Sequence, residues 1–204
     1  MIKLNNVTKK YGSRIIIRDC NYEFSGSGIH CIVGENGSGK STLLGIISGC
    51  IVPTSGEIVF VDQQNENEKK SLYSNIAYVP DACPIYPFIT GEEFIALIRS
   101  IREVPQDAVD ALVDQFSLNE HMKTPDANLS LGTVKKIMLI SALMTDSKVL
   151  IFDEPTNGLD AKSVAIFKHL LIELEQERLI IMTCHELTIR SNLNAIELSM
   201  DLFR

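Results

Sequence analysis

Apolar side chains recur at every second position near the start of the chain. The alternating positions are Ile2, Leu4, Ile15, Ile17, Cys20, Tyr22 and Phe24. This spacing predicts β-strands with one buried face, because successive side chains of a strand point to opposite sides of a sheet. The turn residues Tyr11-Gly12-Ser13 lie between two of these runs. We therefore expect the chain to open with short strands joined by turns.

Later strands are predicted at 28–33, 57–61, 74–79, 148–152 and 179–183. The run at 148–152 is continuously apolar, which is typical of a parallel strand buried on both faces. Alternation returns at the end of the chain and predicts a final strand through Ile196, Leu198, Met200 and Leu202. Gln63 to Lys70 is polar throughout and predicts an exposed loop.

Helical spacing dominates the middle of the chain. Thr90 followed by Glu93 is a capping-box pattern, which marks the start of a helix. The apolar face predicted for this helix consists of Phe94, Leu97, Ile98 and Ile101. Further helices are predicted at 42–47, 106–116, 132–144 and 161–177. Residues 88–145 are therefore expected to form a helical subdomain inserted into an α/β body made of residues 1–87 and 146–204.

The composition favours one large domain, or a domain with a subdomain, in a reducing compartment. The 204 residues are 45% apolar, carry a net charge of −7 and include five cysteines without a Cys-x-x-Cys pair. Scattered cysteines of this kind suggest reduced thiols in the cytosol. No apolar run reaches the roughly 18 residues of a membrane-spanning helix, and no signal-peptide pattern is expected at the start. The acidic balance disfavours a nucleic acid as partner.

The stretch Gly34 to Thr42, GENGSGKST, matches the phosphate-binding template G-x-x-x-x-G-K-[ST]. Its glycines let backbone N–H groups approach phosphate oxygens closely, and the helix that follows adds its dipole. Lys40 offers a charge to the β- and γ-phosphates, and the Ser41 hydroxyl offers a Mg²⁺ ligand. The chain is therefore expected to bind a nucleoside triphosphate. The candidate binding residues are Gly34, Asn36, Gly37, Ser38, Gly39, Lys40, Ser41 and Thr42.

Two adjacent carboxylates, Asp153 and Glu154, follow the buried strand at 148–152. An aspartate at the end of such a strand holds Mg²⁺ beside a phosphate loop, usually through water. Glu154 is one residue further on, where it can polarise the water that attacks the γ-phosphate. The sequence therefore predicts Asp153 as a metal residue and Glu154 as the catalytic carboxylate. Taken alone, Glu154 could instead be a solvated residue at the end of a strand.

The stretch Val149 to Asp160, VLIFDEPTNGLD, resembles the ATPase subunit of ABC transporters. The resemblance implies a P-loop NTPase (RecA-like) core with an antiparallel β subdomain and an inserted helical subdomain. It also implies that His185 is a catalytic switch histidine at the γ-phosphate, whereas a lone histidine is more often a surface residue. Tyr11 falls where the family stacks a ring on adenine, and its alternative role is that of a turn tyrosine.

The segment Leu129 to Thr133, LSLGT, falls where the family has its LSGGQ signature. Ser130 and Gly132 match the signature, whereas Leu131 and Thr133 depart from it. Ser130 can cap the helix that follows, and its hydroxyl and the Gly132 N–H can point at a phosphate. In the family this phosphate belongs to the ATP of a second protomer. The resemblance therefore implies a head-to-tail dimer, either of this chain or with a related subunit.

Asp81 is a second departure from the family pattern. Related chains usually carry glutamine after a Tyr-x-Pro segment, and Tyr78-Val79-Pro80 is followed here by Asp81. If Asp81 takes the place of the glutamine, it approaches the Mg²⁺ and couples the nucleotide site to a membrane subunit. The alternative is that Asp81 caps a turn among the prolines.

The resemblance implies an ATP-hydrolysing subunit that uses ATP and Mg²⁺ and powers a transporter through dimer closure, with export as the expected direction. Its partners would be a transmembrane permease and a second ATPase subunit, and it would sit on the cytoplasmic face of the cell membrane. One alternative is a soluble ABC-type ATPase that acts on ribosomes or DNA. Another is a P-loop kinase or GTPase, against which the paired acids, Ser130-x-Gly132 and His185 all argue.

Overall fold

The computed structural model describes residues 1–60 and 75–204, and these residues form two β-sheets of different construction. A three-stranded antiparallel sheet has the order β2-β1-β4, and a five-stranded parallel sheet has the order β5-β6-β7-β3-β8. The strands are β1 (Ile2–Tyr11), β2 (Arg14–Phe24), β3 (Gly28–Val33), β4 (Ser55–Phe60), β5 (Ile76–Val79), β6 (Val149–Phe152), β7 (Leu179–Thr183) and β8 (Ile196–Ser199). The predicted loop at 63–70 lies outside the described residues, as does the predicted end of the strand at 57–61.

The helices connect these strands and cover the parallel sheet. They are α1 (Lys40–Ile47), α2 (Gly91–Arg102), α3 (Gln106–Gln115), α4 (Leu131–Leu143), α5 (Ala161–Leu174) and α6 (Leu187–Asn192). Thr90 and Glu93 form the predicted capping box of α2, with both side chains bonded to the other residue's backbone N–H. Ser130 caps α4 and Asp160 caps α5 through side-chain oxygens. The polar residues before these helices therefore fix where each one begins.

Helices α2, α3 and α4 follow one another without an intervening strand, and both α2 and α3 pack on α4. Their buried residues join the same hydrophobic cluster as strands β5, β6 and β7. A second cluster lies between the antiparallel sheet, α1 and the other face of the parallel sheet. We refer to residues 91–143 as the helical segment; the subdomain boundaries at 88 and 145 remain a prediction.

Several details of the sequence-based assignment are wrong, most of them at the ends of elements. Of the predicted apolar face of α2, Phe94 and Ile98 pack against the core, but Leu97 and Ile101 are exposed. Gly91 and Ile95, which were not predicted, are the buried residues of this helix. Helix α1 begins at Lys40 instead of residue 42, and α5 ends at Leu174 instead of residue 177. The final strand stops at Ser199, whose side chain accepts from the Asp201 N–H and starts a 3₁₀ turn. Helix α6 was not predicted.

No helix within the described parts of the chain is long and apolar enough to span a membrane.

Candidate nucleotide site

A cavity of about 540 Å³ lies at the carboxyl end of the parallel strands. Such an edge is the usual ligand position in open α/β sheets, because loops from several strands meet there. The loop before α1, the loops after β5, β6 and β7, and the hairpin between β1 and β2 all contribute. The predicted site residues that line it are Tyr11, Asn36, Gly37, Gly39, Lys40, Ser41, Thr42, Asp81, Asp153, Glu154 and His185.

The loop from Gly34 to Gly39 depends on backbone angles that favour glycine. Gly37 has φ 74° and Gly39 has φ 109°, both in the left-handed region. Gly39 also supports a close approach, because a Cβ atom there would overlap the Cγ2 of Ile16. The loop therefore turns sharply into α1 and leaves the first N–H groups of that helix facing the cavity, where an anion is favoured.

Lys40 folds back over this loop. Its Nζ donates to the Gly34 carbonyl at 2.8 Å and to the Glu35 carbonyl at 3.1 Å. The residue is only 9% exposed, so its charge is screened less by solvent than that of a surface lysine. The ammonium is thus fixed at the cavity wall, where it can face the β- and γ-phosphates as predicted.

Gly34 and Ser38 face the opposite side of the loop. They line a neighbouring depression with Met200 and Arg204. The Arg204 guanidinium donates to the Ser38 carbonyl at 3.0 Å, which supports the loop from behind. Gly34 and the Ser38 side chain therefore do not line the nucleotide cavity. Any contact that these two residues make with a nucleotide would come from their backbone.

Asp153 ends β6 in a buried position and is tied to β7. Its Oδ1 accepts a hydrogen bond from the Thr183 hydroxyl at 2.7 Å, and the same hydroxyl accepts from the Glu154 N–H at 2.8 Å. Asp153 is 3% exposed. Thr183 therefore fixes the orientation of both acidic residues, a role that sequence reasoning missed. Its position at the end of the strand before His185 was the available signal.

Glu154 occupies an unfavourable environment for a carboxylate. It is buried, and its φ of 46° lies in the left-handed region that L-residues rarely adopt. Burial raises the pKa of Glu154, and the neighbouring His185 partly offsets this rise. A carboxylate with a raised pKa is a better proton acceptor for water than an ordinary glutamate.

His185 lies beside this carboxylate. Its N–H donates to Glu154 Oε2 at 3.3 Å, and its Nε2 is 3.2 Å from Oε1, within ion-pair range. The imidazole is 53% exposed and faces the cavity. The structure thus brings the two predicted catalytic residues together, with the histidine on the solvent side of the glutamate.

Asp81 lines the cavity from the loop after β5. Its carbonyl oxygen accepts from the Lys135 ammonium at 2.8 Å, and its Oδ1 lies 3.5 Å from that ammonium. The Asn157 amide donates to the same Oδ1 at 3.4 Å. Asp81 therefore lies at the cavity and also contacts the helical segment. This position is compatible with a role near the metal and with a role in capping the turn, so both stay predictions.

Ser130 and Gly132 do not line this cavity. The Ser130 hydroxyl accepts from the Thr133 N–H at 3.2 Å and lies 2.8 Å from the Thr133 hydroxyl. Gly132 packs so closely on Gly158 that a Cβ atom would overlap the Gly158 carbonyl oxygen. Leu131 between them is 87% exposed. These residues therefore form a separate, outward-facing edge at the start of α4.

Three further residues line the cavity and were not predicted. They are Arg14, Ile16 and Asn157. Arg14 donates to the Gly37 carbonyl at 3.0 Å, which joins the β1–β2 hairpin to the phosphate loop. Its position three residues after Tyr11 was the only signal in the sequence. Asn157 belongs to the stretch VLIFDEPTNGLD, but an asparagine in a loop has many possible roles.

Three oxygen donors that line the cavity fit a magnesium ion. The Ser41 hydroxyl and the Asp153 and Asp81 carboxylates all line it, and Mg²⁺ prefers hard oxygen ligands together with substrate phosphates and water. Residues 1–60 and 75–204 contain no group of three or more histidine, cysteine or acidic side chains that could hold a metal ion by itself. The site therefore suits a metal that arrives with a nucleotide.

Comparisons with known proteins agree on one family. A sequence model for the ABC transporter family matches residues 17–157. The lantibiotic transport ATP-binding protein SrtF of Streptococcus pyogenes is 28% identical over 182 residues, covering 89% of this chain and 78% of that protein. The bacitracin transport ATP-binding protein BcrA of Bacillus licheniformis is 29% identical over 179 residues, covering 87% of this chain and 58% of that protein.

Solved structures give the same fold. The dimeric structure of the bacterial ABC transporter cassette MJ0796 has a TM-score of 0.82 at 24% identity, covering 98% of this chain and 95% of that one. A bacterial Atm1-family ABC exporter with ATP bound has a TM-score of 0.81 at 22% identity, and this chain covers 37% of it. The predicted α/β fold with its phosphate loop is confirmed.

Proposed function

The chain belongs to the ABC transporter family as an ATP-hydrolysing cassette, and we propose that it powers export through a separate membrane subunit. The observation that carries the proposal is the convergence of Lys40, Asp153, Glu154 and His185 on one cavity. Lys40 and the loop N–H groups bind the phosphates. Asp153 and Ser41 would hold Mg²⁺ together with the nucleotide, and the ion would supply positive charge beside the phosphates.

Glu154 is the proposed general base. Its raised pKa suits a group that must take a proton from the attacking water. His185 holds the carboxylate through its backbone N–H and offers its exposed imidazole to the γ-phosphate. Thr183 keeps Asp153 and Glu154 in fixed relative positions through its two hydrogen bonds. Tyr11, which also lines the cavity, would stack on the adenine ring.

Dimer closure is proposed from the separate edge formed by Ser130, Leu131 and Gly132. Ser130 and Gly132 lie at the N-terminus of α4, where hydroxyl and N–H groups favour a phosphate. They do not line the cavity of their own chain. A second ATPase subunit, identical or related, would present its ATP to this edge, so that two nucleotides are enclosed between two chains.

The proposed permease contact is the surface around the loop after β5 and α2. Tyr86 and Phe88 stack with ring centroids 5.6 Å apart and remain 67% and 75% exposed. Leu97 and Ile101 on α2 are also exposed. Exposed apolar groups of this kind suit a helix of a membrane partner at the cytoplasmic face. The similarity to lantibiotic and bacitracin transport proteins supports a peptide antibiotic as the exported substrate.

The test replaces Glu154 with glutamine. Glu154→Gln keeps the size and polarity of the side chain but removes the proton acceptor, so ATP hydrolysis should fall by at least about 100-fold while ATP still binds. The variant should also accumulate as an ATP-bound dimer, detected by size-exclusion chromatography with light scattering. Glu186→Gln, a change of the same type at an exposed neighbour, is the control and should hydrolyse ATP like the wild type.

Normal hydrolysis in Glu154→Gln would reject the assignment of the base. The transport role is tested separately by co-expression with the candidate membrane subunit and a peptide antibiotic challenge. Cells with the wild-type pair should survive higher antibiotic concentrations than cells with the Glu154→Gln pair. Equal survival of the two strains would reject export of that antibiotic class.

A further inference from the structure

Two consecutive carbonyl groups of the phosphate loop are each held by an arginine from outside the loop. The Gly37 carbonyl accepts from Arg14 Nη2 at 3.0 Å, and the Ser38 carbonyl accepts from Arg204 Nη2 at 3.0 Å. Arg14 begins β2 and lines both the nucleotide cavity and the depression on the other side of the loop. Arg204 follows the 3₁₀ turn after β8 and lines the depression but not the cavity.

The bond from Arg204 fixes the direction of the next N–H group in the loop. A planar trans peptide directs its carbonyl oxygen and its N–H hydrogen to opposite sides. Because Arg204 holds the Ser38 carbonyl, the Gly39 N–H points away from the depression. Gly39 itself lines the nucleotide cavity. It is also the N-cap of α1, and N–H groups at the start of a helix have no partner inside that helix, so this N–H is available to a phosphate.

The preceding peptide is fixed at both of its ends. Its carbonyl, that of Gly37, is held by Arg14, and its N–H, that of Ser38, donates to the Glu35 carbonyl at 3.2 Å. Positive φ angles at Gly37 and Gly39 are typical of a nest, in which successive N–H groups line a concave anion site. Guanidinium groups on the carbonyls stabilise this backbone conformation before any anion is present.

Arg204 is attached to a firmly packed part of the fold. Phe203, in the 3₁₀ turn that precedes it, is fully buried, and its ring centroid lies 4.9 Å from that of Tyr22. Met200 in the same turn packs on the phosphate loop, since a Cβ atom added to Gly34 would lie 3.0 Å from Met200 Cβ. The turn therefore holds the Arg204 backbone at a fixed place beside the loop.

The effect of Arg204 on the loop comes from this hydrogen bond more than from its field at a distance. The side chain is 50% exposed, and its Nη1 lies 3.4 Å from Asp201 Oδ1. Solvent and the carboxylate both weaken its field at the cavity. A hydrogen bond from an ionised donor is stronger than a neutral one and polarises the peptide, so the N–H at the other end becomes a better donor.

We propose that Arg14 and Arg204 are positioning residues of the nucleotide site, which hold the phosphate loop in its phosphate-binding conformation through two of its carbonyls. Arg204 directs the Gly39 N–H into the cavity, and Arg14 fixes the preceding peptide. Together they reduce the ordering that the loop must undergo when a phosphate binds. The inference rests on the proposed function in one respect only, namely that the phosphates of ATP occupy this loop.

The first test measures binding to Arg204→Met, which keeps an apolar stem and removes the donors. Affinities for a non-hydrolysable ATP analogue and for inorganic pyrophosphate, both measured by competition with labelled ATP, should fall about 3- to 10-fold, the scale of one net hydrogen bond. Arg14→Met should lower both affinities by a similar factor. Arg204→Lys keeps the charge and a donor and should stay within about twofold of the wild type.

Two controls accompany this test. Arg18→Met removes the same charge from an exposed position of β2 and should change neither affinity. Tyr11→Ala should weaken binding of the analogue but not of pyrophosphate, which has no base to stack. A loss shared by both ligands therefore identifies an effect on the phosphate loop. Unchanged affinities in both Arg14→Met and Arg204→Met would overturn the proposal.

The second test reads the Gly39 amide by NMR of a chain labelled with ¹⁵N-glycine. Saturating pyrophosphate should move the Gly39 amide proton of the wild type downfield, because that N–H then donates to an anion. The shift should be smaller in Arg204→Met and equal to the wild type in Arg18→Met. A full shift in Arg204→Met would overturn the role of Arg204, even if the affinity had fallen.

A purely structural role for Arg204 has a different signature in these assays. The melting temperature of the nucleotide-free chain would fall, whereas the affinities and the Gly39 shift would stay at their wild-type values. If Arg204→Met does not fold, Arg204→Gln replaces it and should show the same reduced shift. A wild-type chain that binds neither ligand would reject the proposed function itself. Wild-type binding without any loss in the arginine variants would reject only this inference.

Discussion

The phosphate loop and the loop after β5 line the same cavity but are held in opposite ways. The phosphate loop is held by Lys40, which bonds to the Gly34 and Glu35 carbonyls within the same stretch, and by Arg14 and Arg204, which bond to other carbonyls of the loop. The loop at Asp81 is held by Lys135, which comes from α4 in the helical segment. One wall of the site is therefore held by residues outside the helical segment, and the other depends on how that segment packs.

This difference suggests how the two walls act. The phosphate loop can bind nucleotide wherever the helical segment lies, since its own backbone and α1 supply the donors. A shift of α4 would carry Lys135 and hence Asp81 with it. The start of α4 also touches the loop after β6, through Gly132 against Gly158 and through Lys136 paired with Asp160 at 2.6 Å. Through α4, the position of the helical segment is thus linked to the positions of the two loops, after β5 and after β6, that line the cavity.

The largest effect is expected from a substitution in the phosphate loop. Lys40→Ala removes the ammonium that faces the phosphates, and ATP affinity should fall about 100-fold or more, the scale of two charge-assisted hydrogen bonds. Equilibrium titration with labelled ATP measures it. Ser38→Ala, in the same loop but facing away from the cavity, should change affinity less than about threefold because its backbone N–H remains. Unchanged ATP affinity in Lys40→Ala would show that the phosphate loop does not form the ATP site.

A smaller loss is expected from Tyr11, which also lines the cavity. Tyr11 is 51% exposed, and the Lys9 ammonium lies 4.9 Å from the centroid of its ring. Tyr11→Ala should weaken ATP binding by about 1–3 kcal/mol, the value of one base–aromatic stack. Tyr11→Phe keeps the ring and should be nearly neutral in the same titration. Equal losses in both variants would indicate a contact through the hydroxyl instead.

The contrast between the two walls also explains which parts could be predicted from the sequence. The phosphate loop and the pair Asp153 and Glu154 are contiguous motifs, so their chemical roles could be predicted from the sequence without knowledge of the fold. Lys135 and Thr183 act through partners that are distant in the chain. Nothing in a single sequence indicates that Lys135 reaches the Asp81 loop, because that contact depends on the packing of α4.

The errors in the fold have similar causes. On α2, the buried side is centred on Gly91 and Ile95, with Phe94 and Ile98 partly buried beside them, so Leu97 and Ile101 of the predicted face are left exposed. The spacing alone could not fix the centre of the buried face. Helix α6 has no side-chain hydrogen bond at its N-cap and gives no capping signal. The last predicted strand kept its alternation past Ser199, where a local side-chain bond turns the chain instead.

The contact between α4 and the loop after β6 is tested at Gly132. Gly132→Ala places a methyl group against the Gly158 carbonyl, which is backbone and cannot rotate away. The free energy of unfolding should fall by about 1–3 kcal/mol, as for other overpacked contacts, in a denaturant titration. Leu131→Ala, at the exposed neighbour, should cost less than about 0.5 kcal/mol. If both variants match the wild type, the close approach is not required for stability.

The smallest expected effect concerns the pH dependence of stability at Glu154. Burial raises its pKa in the folded chain above the value in the unfolded chain, so the folded state binds the proton more tightly. The stability that the Glu154 carboxyl contributes to the folded chain is fully present below its unfolded pKa. It is lost as the pH rises through the higher pKa of the folded chain. Glu154→Gln removes that loss, and the melting temperature of the nucleotide-free chain should exceed the wild-type value by about 2 °C at pH 8.

The increase in melting temperature caused by Glu154→Gln should shrink toward pH 5, because the wild-type carboxyl is closer to protonation there in both the folded and the unfolded chain. Glu120→Gln, at an exposed position, should show no such trend. Thermal unfolding at several pH values separates the two variants. A difference between Glu154→Gln and wild type that is constant with pH would mean that burial does not disfavour the carboxylate. The raised pKa would then have to be abandoned as a reason for assigning Glu154 as the base.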